Sequence, residues 1–444
     1  MIKRINIILY LIFILVIFLI NFAQSQVEHW SNDFDQNVVY IYNVIELNSR
    51  YPQTDFNHPA YTTYTINVII LNIIKFFNSN LDFQLENINF LNLDLYLSRV
   101  FFYSRIINAF FGVLLIYYLV KILKYYKLSN LSIYGLIFIF LSYSRYLELI
   151  LVLRSDILCV ALSLCSFYYF NKFEKSKNRY HILLSGFIFS LAVLAKIQII
   201  FLFIIFFFIL LLSRKVSFKV FSSFIFGIFL ALVLIYIFDW SNFIKFNPSI
   251  MTRIISPIDS MADSSSLDLK LIINKENLFD YNFYFKQFKI FARTLTYDVF
   301  GYRKYNYNIS GIVILLFYFF LYFNRYQKID NQILVLLLGF FFLIFTQNFR
   351  SQSFYNIYSI TIYCLLLAHL TKNNSLKENI LFFFLSITIF ISELDNTYSY
   401  LIKMYFENKT SNLSNACANI NLIDLKHYTL KLDNVIRETC LKFL

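Results

Sequence analysis

Glycine and proline are scarce in this chain of 444 residues, which contains 7 glycines and 4 prolines. Charged residues are also few, at 15%, whereas hydrophobic residues make up 59%. A soluble domain of this length could not bury so much apolar surface, so the composition argues against a soluble protein. The shortage of glycine and proline gives little sign of the broken midplane helices that transporters often contain. The composition therefore favours long, unbroken apolar helices.

The short motifs of nucleotide and metal chemistry are absent from the sequence. There is no Walker motif, GxGxxG, HExxH or CxxC pair, so ATP-driven work and nicotinamide chemistry are not expected. Cys159, Cys165 and Cys364 fall in apolar segments and are expected to be small core residues. Cys417 and Cys440 lie in the C-terminal region and can form a disulfide if the compartment is oxidising.

Apolar runs of roughly 17–25 residues, the length that crosses an ~30 Å hydrocarbon core, recur along the chain. They predict an all-α, polytopic membrane protein with about 11 transmembrane helices. The first run is interpreted as an uncleaved helix, although residues 23–25 would also pass as a signal-peptide cleavage site. The predicted spans lie near residues 5–22, 96–120, 131–147, 154–171, 180–195, 197–213, 217–238, 309–324, 332–347, 355–371 and 379–394.

The distribution of charge predicts which face of the membrane each loop occupies. If the N-terminus is cytoplasmic, the whole formal charge of +13 falls on the cytoplasmic face, as the positive-inside rule requires. The cytoplasmic loops then contain only three acids, Glu174, Asp330 and Glu378. The C-terminus is outside in this topology. The basic charge thus reports orientation, and nucleic acid is not an expected partner.

Residues 1–394 are predicted to form one transmembrane domain, and residues 395–444 a small extracytoplasmic tail. Two large outer loops, 23–95 and 239–308, belong to the transmembrane domain. The segment Tyr61–Phe77 is predicted to lie on the outer surface as a helix, with Asn67 and Asn72 on its polar side. Counting that segment as a span would reverse every later loop against the charge rule.

Ionisable residues gather at the outer ends of the predicted spans. Arg145, Glu148, Arg154 and Asp156 flank one short outer turn, and Lys196 lies at the next. Arginine and lysine there can hold a phosphate or pyrophosphate group through charge-assisted hydrogen bonds. The two arginines and two acids can equally neutralise one another.

The first outer loop contains two closely spaced aspartates, Asp33 and Asp35. A carboxylate at this height can take a proton from an attacking hydroxyl, or it can coordinate a divalent cation. A structural alternative makes Asp33 the cap of a helix running through Val38–Leu47. Glu46 and Asp55, in the same loop, are interpreted as solvated charges.

Four features, taken in order, resemble the multi-spanning GT-C class of glycosyltransferases that use lipid-linked sugars. A first span precedes the acidic motif Asn32-Asp33-Phe34-Asp35-Gln36, and His58-Pro59-Ala60-Tyr61 precedes a surface helix. Arg154-Ser155-Asp156 opens the fourth span, and Ala195-Lys196-Ile197-Gln198 forms the following outer turn. Protein O-mannosyltransferases and the aminoarabinose transferases of lipid A are members of this class. The resemblance covers roughly residues 1–215, and it departs at Asp35-Gln36, where the family has Asp-Glu.

The resemblance implies inverting transfer of a sugar from a polyprenyl-phosphate donor to a lipid, glycan or protein acceptor outside the cytoplasm. Asp35 is then the first choice for the catalytic base and Asp33 the second. The residues implied to bind the donor phosphate are Arg154, Lys196 and Arg105. Those implied to support the site or face the acceptor are Asp156, Glu148, His58 and Tyr61.

The implied location is a bacterial inner membrane, with the site facing outward and membrane lipid as a partner. Either no cofactor is required or a divalent cation is used, in which case Asp35 and Asp156 are its expected ligands. His58 has a structural alternative, because a His-Pro step often begins a helix.

Two other function classes stay open at this stage. A polysaccharide polymerase or ligase would place basic and histidine residues in a large later loop, yet residues 239–308 contain no histidine. A flippase or transporter of lipid-linked glycans would show internal repeats and helices broken near the midplane. The position of the charges, at the outer edge and not within the spans, favours the transferase.

Overall fold

The protein was analysed as a computed structural model. The structure describes residues 18–19, 39–51, 60–78, 81–87, 93–143, 146, 149–150, 152–196, 199, 202, 205–206, 208, 218–246, 310–327, 329–348 and 356–391. The regular elements in this part of the chain are all helical, which confirms the all-α prediction there. The α-helices are α1 Val39–Asn48, α2 Tyr61–Phe77, α3 Leu93–Tyr125, α4 Asn130–Leu141, α5 Ser155–Ser176, α6 Arg179–Ala195, α7 Phe218–Phe246, α8 Ser310–Tyr326, α9 Asn331–Asn348, α10 Asn356–Thr371 and α11, residues 376–391; a short 3-10 turn covers Leu85–Asn87.

Helix boundaries differ from the predicted spans at several ends. The helix α3 continues to Tyr125, beyond the predicted end at residue 120, and α7 continues to Phe246, into the predicted outer loop. The helix α4 instead ends at Leu141, six residues earlier than predicted.

By length and composition, one helix in the described residues, Asp94–Tyr125, could cross a membrane. Shorter apolar helical stretches of 10–17 residues also occur in this part of the chain, among them Lys219–Ile235 within α7 and Asn331–Leu343 within α9. At 1.5 Å per residue, a helix of 12 residues such as α4 extends only about 18 Å.

The helices α5 and α6 form an antiparallel hairpin around a tight polar turn. Lys177 ends α5 in a left-handed conformation with φ 54°, and Asn178 caps α6 by accepting a hydrogen bond from the Tyr180 amide at 3.0 Å. Within the hairpin, Ser166 donates to the carbonyl of Ser185 and Ser185 to that of Ser166, each at 2.8 Å. The start of α5 and the end of α6 therefore lie at the same end of the hairpin.

Two glycines allow α6 and α7 to approach backbone to backbone. A Cβ atom on Gly186 would overlap the carbonyl oxygen of Phe224, and one on Gly227 would overlap that of Leu183. Because each glycine meets the backbone of the opposite helix, no side-chain rearrangement can make room. Small residues at such crossings are typical of helices that pack in membranes.

One face of α3 packs against the connection between α4 and α5. The amide nitrogen Nδ2 of buried Asn108 lies 3.0, 2.8 and 3.0 Å from the carbonyl oxygens of Leu149, Ile150 and Val152. One helical turn further along α3, the carbonyl of Gly112 accepts a hydrogen bond from Tyr146 Oη at 2.9 Å. These bonds fix the chain just before α5 begins.

The helix α10 lies in the second half of the bundle and packs against α4, α5, α8 and α9. Its Tyr363 donates a hydrogen bond to the carbonyl of Gly311 at the start of α8, at 2.6 Å. The first turn of α4 is joined to α11 by Ser132, which donates to Asn379 Oδ1 at 2.6 Å. The contact of α10 with α5 brings the two halves of the chain together.

The helices α1 and α2 form a layer in which both run in the same direction. Near their starts, the rings of Tyr40 and Tyr64 pack edge to face at 5.2 Å, and Asn67 Nδ2 donates to Tyr40 Oη at 2.6 Å. Near the end of α1, Asn72 Nδ2 donates to Asn48 Oδ1 at 3.0 Å. The beginnings of α1 and α2 therefore lie at the same end of this layer.

The prediction of a helix over Tyr61–Phe77 is confirmed, but the assignment of its polar side is wrong. Asn67 is fully buried against α1, whereas Asn72 is exposed. Five residues along a helix correspond to about 140°, so the two asparagines cannot share a face. The exposed face of α2 is instead apolar and contains Ile69, Ile73 and Phe76.

The interpretation of Glu46 as a solvated loop charge is also wrong. Glu46 lies in α1 and is 1% exposed. Its burial follows from the packing of α1 against both α2 and α3, which covers almost every residue of this short helix. Asp55 lies outside the described residues.

Candidate functional site

Asp156 is the centre of a buried charged cluster. Its Oδ2 atom is 2.6 Å from Lys196 Nζ and 3.0 Å from Arg154 Nε. Its Oδ1 atom accepts a hydrogen bond from Tyr358 Oη at 3.0 Å. We call these four residues the Asp156 cluster. Both carboxylate oxygens are thus held by donors that come from three helix ends.

Local sequence explains why these side chains meet. Arg154 precedes α5 in an extended conformation, and Asp156 occupies the first helical turn, where a carboxylate is stabilised by the helix dipole. Lys196 follows the last residue of α6, also with extended backbone. Because α5 and α6 are antiparallel neighbours, the start of one lies beside the end of the other. The structure thus brings Arg154, Asp156 and Lys196 together.

Tyr358 is a member of the cluster that the sequence did not identify. It lies in the first turn of α10, 202 residues from Asp156. The chain has 35 tyrosines, so residue type alone gave no reason to choose this one. The only available signal was topological, because α10 begins at an end that the charge rule also places outside.

The cluster contains more positive than negative charge. Two cations contact one carboxylate, so Arg154, Lys196 and Asp156 together have a formal charge of +1. Asp156 is 0% exposed, Arg154 3% and Lys196 8%. The contact of Arg154 with Asp156 uses the N–H on Nε.

The alternative in which charges at this turn simply neutralise one another is realised only in part. The Arg154–Asp156 ion pair exists, but the same carboxylate also binds Lys196. The second pair of that alternative, Arg145 and Glu148, lies outside the described residues. In the described contacts, one carboxylate therefore binds two cations, so the arrangement is not a one-to-one ion pair.

Arg105 is also buried, on α3. Its guanidinium carbon lies 4.6 Å from the centre of the Phe101 ring, a cation–π arrangement. Arg105 is one turn before Asn108, on the α3 face that packs against the connection leading to Arg154. The donor-binding role of Arg105 stays a prediction.

Tyr61 is the first residue of α2 and is buried in the layer formed by α1 and α2. The predicted base residues Asp33 and Asp35 lie outside the described residues, as do His58 and Glu148. The described chain resumes at Val39, four residues after Asp35, at the end of α1 that lies beside the start of α2. Cys417 and Cys440 also lie outside the described part of the chain.

Asp156 is poorly suited to the predicted role of a metal ligand. Its Oδ2 accepts from two cationic groups and its Oδ1 accepts from a tyrosine hydroxyl. A divalent cation at this carboxylate would have to displace Lys196 or Arg154, which would then repel it. The geometry fits a carboxylate that holds Arg154 and Lys196 in position.

No protein-family model matches the chain, and no curated protein matches it.

Proposed function

We propose that this chain is a multi-pass membrane glycosyltransferase that moves a sugar from a polyprenyl-phosphate donor to an acceptor outside the cytoplasm. The observation that carries the proposal is the Asp156 cluster, in which one buried carboxylate and one tyrosine hold Arg154 and Lys196 together at the ends of α5 and α6. A paired guanidinium and ammonium is well suited to a phosphate group.

The packing of the bundle supports the membrane part of the proposal. Glycines form the crossing of α6 and α7, and serines exchange hydrogen bonds between α5 and α6, as expected where apolar burial cannot drive association. Large apolar side chains also cover the outside of several helices, which is the surface that lipid would contact. Examples more than half exposed are Phe229, Leu316, Phe320, Leu338 and Phe384.

In the proposed reaction the acceptor hydroxyl attacks the anomeric carbon of the donor sugar. Asp35, or Asp33 in its place, takes the hydroxyl proton as the new glycosidic bond forms. The bond between the anomeric carbon and the phosphate oxygen breaks, and polyprenyl phosphate leaves with the bonding electrons. Arg154 and Lys196 stabilise the charge that develops on that phosphate oxygen, which is the usual role of fixed cations in group transfer.

Asp156 and Tyr358 act in this scheme as positioning residues. Two cations brought together without a carboxylate would repel one another. Asp156 holds both within 3.0 Å of one oxygen, and Tyr358 fixes the other oxygen. A phosphate that enters then meets a preorganised pair of donors and does not have to assemble them.

The proposed base precedes α1 by a few residues. Val39 follows Asp35 by four residues, and an extended chain of four residues covers at most about 14 Å. The end of α1 that contains Val39 adjoins the start of α2, and α2 packs on α3 and α6. The proposal requires that this segment bring Asp35 to the end of the bundle that holds Lys196.

The transfer test uses the full chain in nanodiscs with a panel of polyprenyl-phosphate sugars carrying a labelled sugar. Membrane extract supplies acceptors, and both labelled product and released polyprenyl phosphate are measured. Asp35→Asn should abolish transfer while expression stays normal, and Glu378→Gln, at the end predicted to be cytoplasmic, serves as the carboxylate control. Full activity in both Asp33→Asn and Asp35→Asn would show that the base is assigned incorrectly. Movement of intact donor without bond cleavage would favour a flippase.

The predicted orientation is tested separately by labelling. The five native cysteines are first replaced by serine. Single cysteines are then introduced at Asn78, after the predicted outer helix, and at Lys177, in the predicted cytoplasmic turn. A membrane-impermeant maleimide applied to intact cells should label the Asn78→Cys protein and should label Lys177→Cys only after lysis. Equal labelling of both in intact cells would contradict the proposed topology.

A further inference from the structure

The first turn of α2 is a buried helix start without a side-chain cap from Ala60. Ala60 at the N-cap position makes no side-chain capping hydrogen bond, and the first turn contains no acidic residue. Thr62 is 4% exposed and Thr63 is fully buried. The first N–H groups of any helix have no partner within the helix, so caps or ligands normally satisfy them.

The threonine hydroxyls of this turn add a second, independent observation. The Oγ1 atoms of Thr62 and Thr63 are buried and make no hydrogen bond. Thr361 and Thr371, deeper in their helix, donate to the carbonyls of Ile357 at 2.7 Å and Leu367 at 2.8 Å. No carbonyl of α2 lies four residues before Thr62 or Thr63, because the helix begins at Tyr61. The Oγ1 atom of Thr65, one turn further along α2, is also buried without a hydrogen bond in the described part of the chain. Side chains in a helix tilt toward its N-terminus, so the Thr62 and Thr63 hydroxyls lie where the N–H groups point.

We infer that the first turn of α2 is a binding site for an oxyanion, either a phosphate or a carboxylate group. Backbone N–H groups, hydroxyl donors and the positive end of the helix dipole all favour negative charge. An unpaired buried hydroxyl is otherwise unfavourable, and an anion would give both threonines an acceptor. The site lies on a different helix from the Asp156 cluster and does not depend on the proposed sugar transfer.

The decisive feature of this site is that affinity and stability should change in opposite directions. Valine has the shape of threonine without the hydroxyl. In ligand-free protein, Thr62→Val and Thr63→Val should leave the melting temperature unchanged or raise it, because a buried unpaired hydroxyl is removed. The same variants should bind an oxyanion at least about tenfold more weakly, because a hydrogen bond to a charged group is lost. A purely structural threonine would not produce this combination.

The experiment measures the melting temperature of the full chain in nanodiscs as inorganic phosphate is titrated at constant ionic strength. The matched control is Thr371→Val, whose buried hydroxyl already has a backbone acceptor. Because the Asp156 cluster would also bind phosphate, the titration is repeated in Lys196→Gln protein. The inference requires a phosphate-dependent rise that persists in Lys196→Gln, persists in Thr371→Val and is lost in the Thr62→Val/Thr63→Val double variant.

The source of the oxyanion is separated by the lipid used. A rise with inorganic phosphate in phosphatidylcholine nanodiscs indicates a soluble ligand. Constitutive stabilisation in nanodiscs that contain phosphatidic acid, lost in the double variant, indicates a lipid headgroup. If the double variant melts lower than the parent without ligand, or responds to both conditions as the parent does, the inference is wrong. Loss of the response in Lys196→Gln alone would assign the phosphate effect to the Asp156 cluster and would also overturn it.

Discussion

The protein contains two described clusters of charge that are built differently. In the Asp156 cluster two cations contact one carboxylate, and the three charged side chains are 10% exposed or less. At the opposite, predicted cytoplasmic end, Arg325 contacts both oxygens of Glu378 at 2.8 Å, with side chains 33% and 23% exposed. In the first cluster two buried cations contact one carboxylate. In the second, one cation contacts one carboxylate, and both side chains are partly exposed to solvent.

The second cluster shows what a structural ion pair looks like in this chain. Glu378 also completes a capping box, in which its carboxylate accepts from the Ser375 amide at 2.6 Å and its amide donates to Ser375 Oγ at 3.4 Å. Its charge is matched and its contacts secure the start of α11. In the Asp156 cluster one carboxylate instead holds two buried cations together, and this arrangement is the reason for assigning it a ligand.

The largest effect is expected from removing the carboxylate of the buried cluster. Asp156→Ala should destabilise the protein by about 3–5 kcal/mol, because Arg154 and Lys196 lose the charge that holds them together. Asp82→Ala is the control, since Asp82 makes a partly exposed one-to-one pair with Lys75 and should cost about 1 kcal/mol or less. Denaturant unfolding of the two variants in the same detergent tests the difference. Equal losses of unfolding free energy in Asp156→Ala and Asp82→Ala would show that the two carboxylates stabilise the protein to the same extent.

Lys196→Met should separate ligand binding from stability. Methionine keeps much of the apolar stem but removes the charge, and the Arg154–Asp156 pair then becomes one-to-one. Affinity for polyprenyl phosphate should fall about tenfold or more, because a charge-assisted contact is lost. Native mass spectrometry of the titrated lipid, together with a melting curve, measures both quantities. A large fall in stability with unchanged affinity would contradict the assigned role.

Tyr358→Phe should have a smaller effect, since it removes one hydrogen bond and little volume. A cost of about 1–3 kcal/mol is expected, because a buried carboxylate oxygen loses a donor. If Tyr358 positions the cations, the KM for the donor should rise more than kcat falls. A matched control is Tyr363→Phe, which loses a buried hydroxyl contact to Gly311 away from the cluster. Identical kinetics in the two variants would assign Tyr358 a structural role only.

The smallest effect belongs to Glu378→Gln, which can retain the capping geometry but lacks the charge. The change should cost about 1 kcal/mol or less, as is usual for exposed ion pairs.

Burial alone would raise the pKa of Glu378, but hydrogen bonds from the Ser375 amide and from Arg325 outweigh it, so the pKa lies below its ordinary value. A lowered pKa contributes stability that is present above the unfolded value and lost as pH falls through the folded value. The unfolding midpoints of the parent and of Glu378→Gln should therefore approach each other as the pH falls below about 4.5.

Much of the fold could be predicted from the sequence because long apolar segments indicate helices unambiguously. Helix boundaries were predicted less well: α4 ends at Leu141, and the chain just before α5 is held by Asn108 of α3, a contact that only the tertiary structure reveals. Asn67 and Glu46 were assigned to solvent because polar residues in a predicted loop were assumed to be exposed. Both are buried, since α1 and α2 pack against one another.

The candidate site was predictable in part for a similar reason. Arg154, Asp156 and Lys196 are rare charges beside apolar segments, so topology brought them to one end of the bundle. Two cations share a single carboxylate because of the side-chain geometry, and no sequence pattern predicts that geometry. Tyr358 could not be separated from the other tyrosines until the packing of α10 against α5 was known.

The central claim is that Arg154 and Lys196 form a preorganised pair for a lipid-linked phosphate. Its most direct test is equilibrium binding of polyprenyl phosphate and of the uncharged polyprenol to the full chain in nanodiscs. The account predicts saturable binding of polyprenyl phosphate that weakens about tenfold or more in Lys196→Met but not in Glu378→Gln, with much weaker binding of polyprenol. Equal binding of the two lipids, or unchanged binding in Lys196→Met, would contradict it.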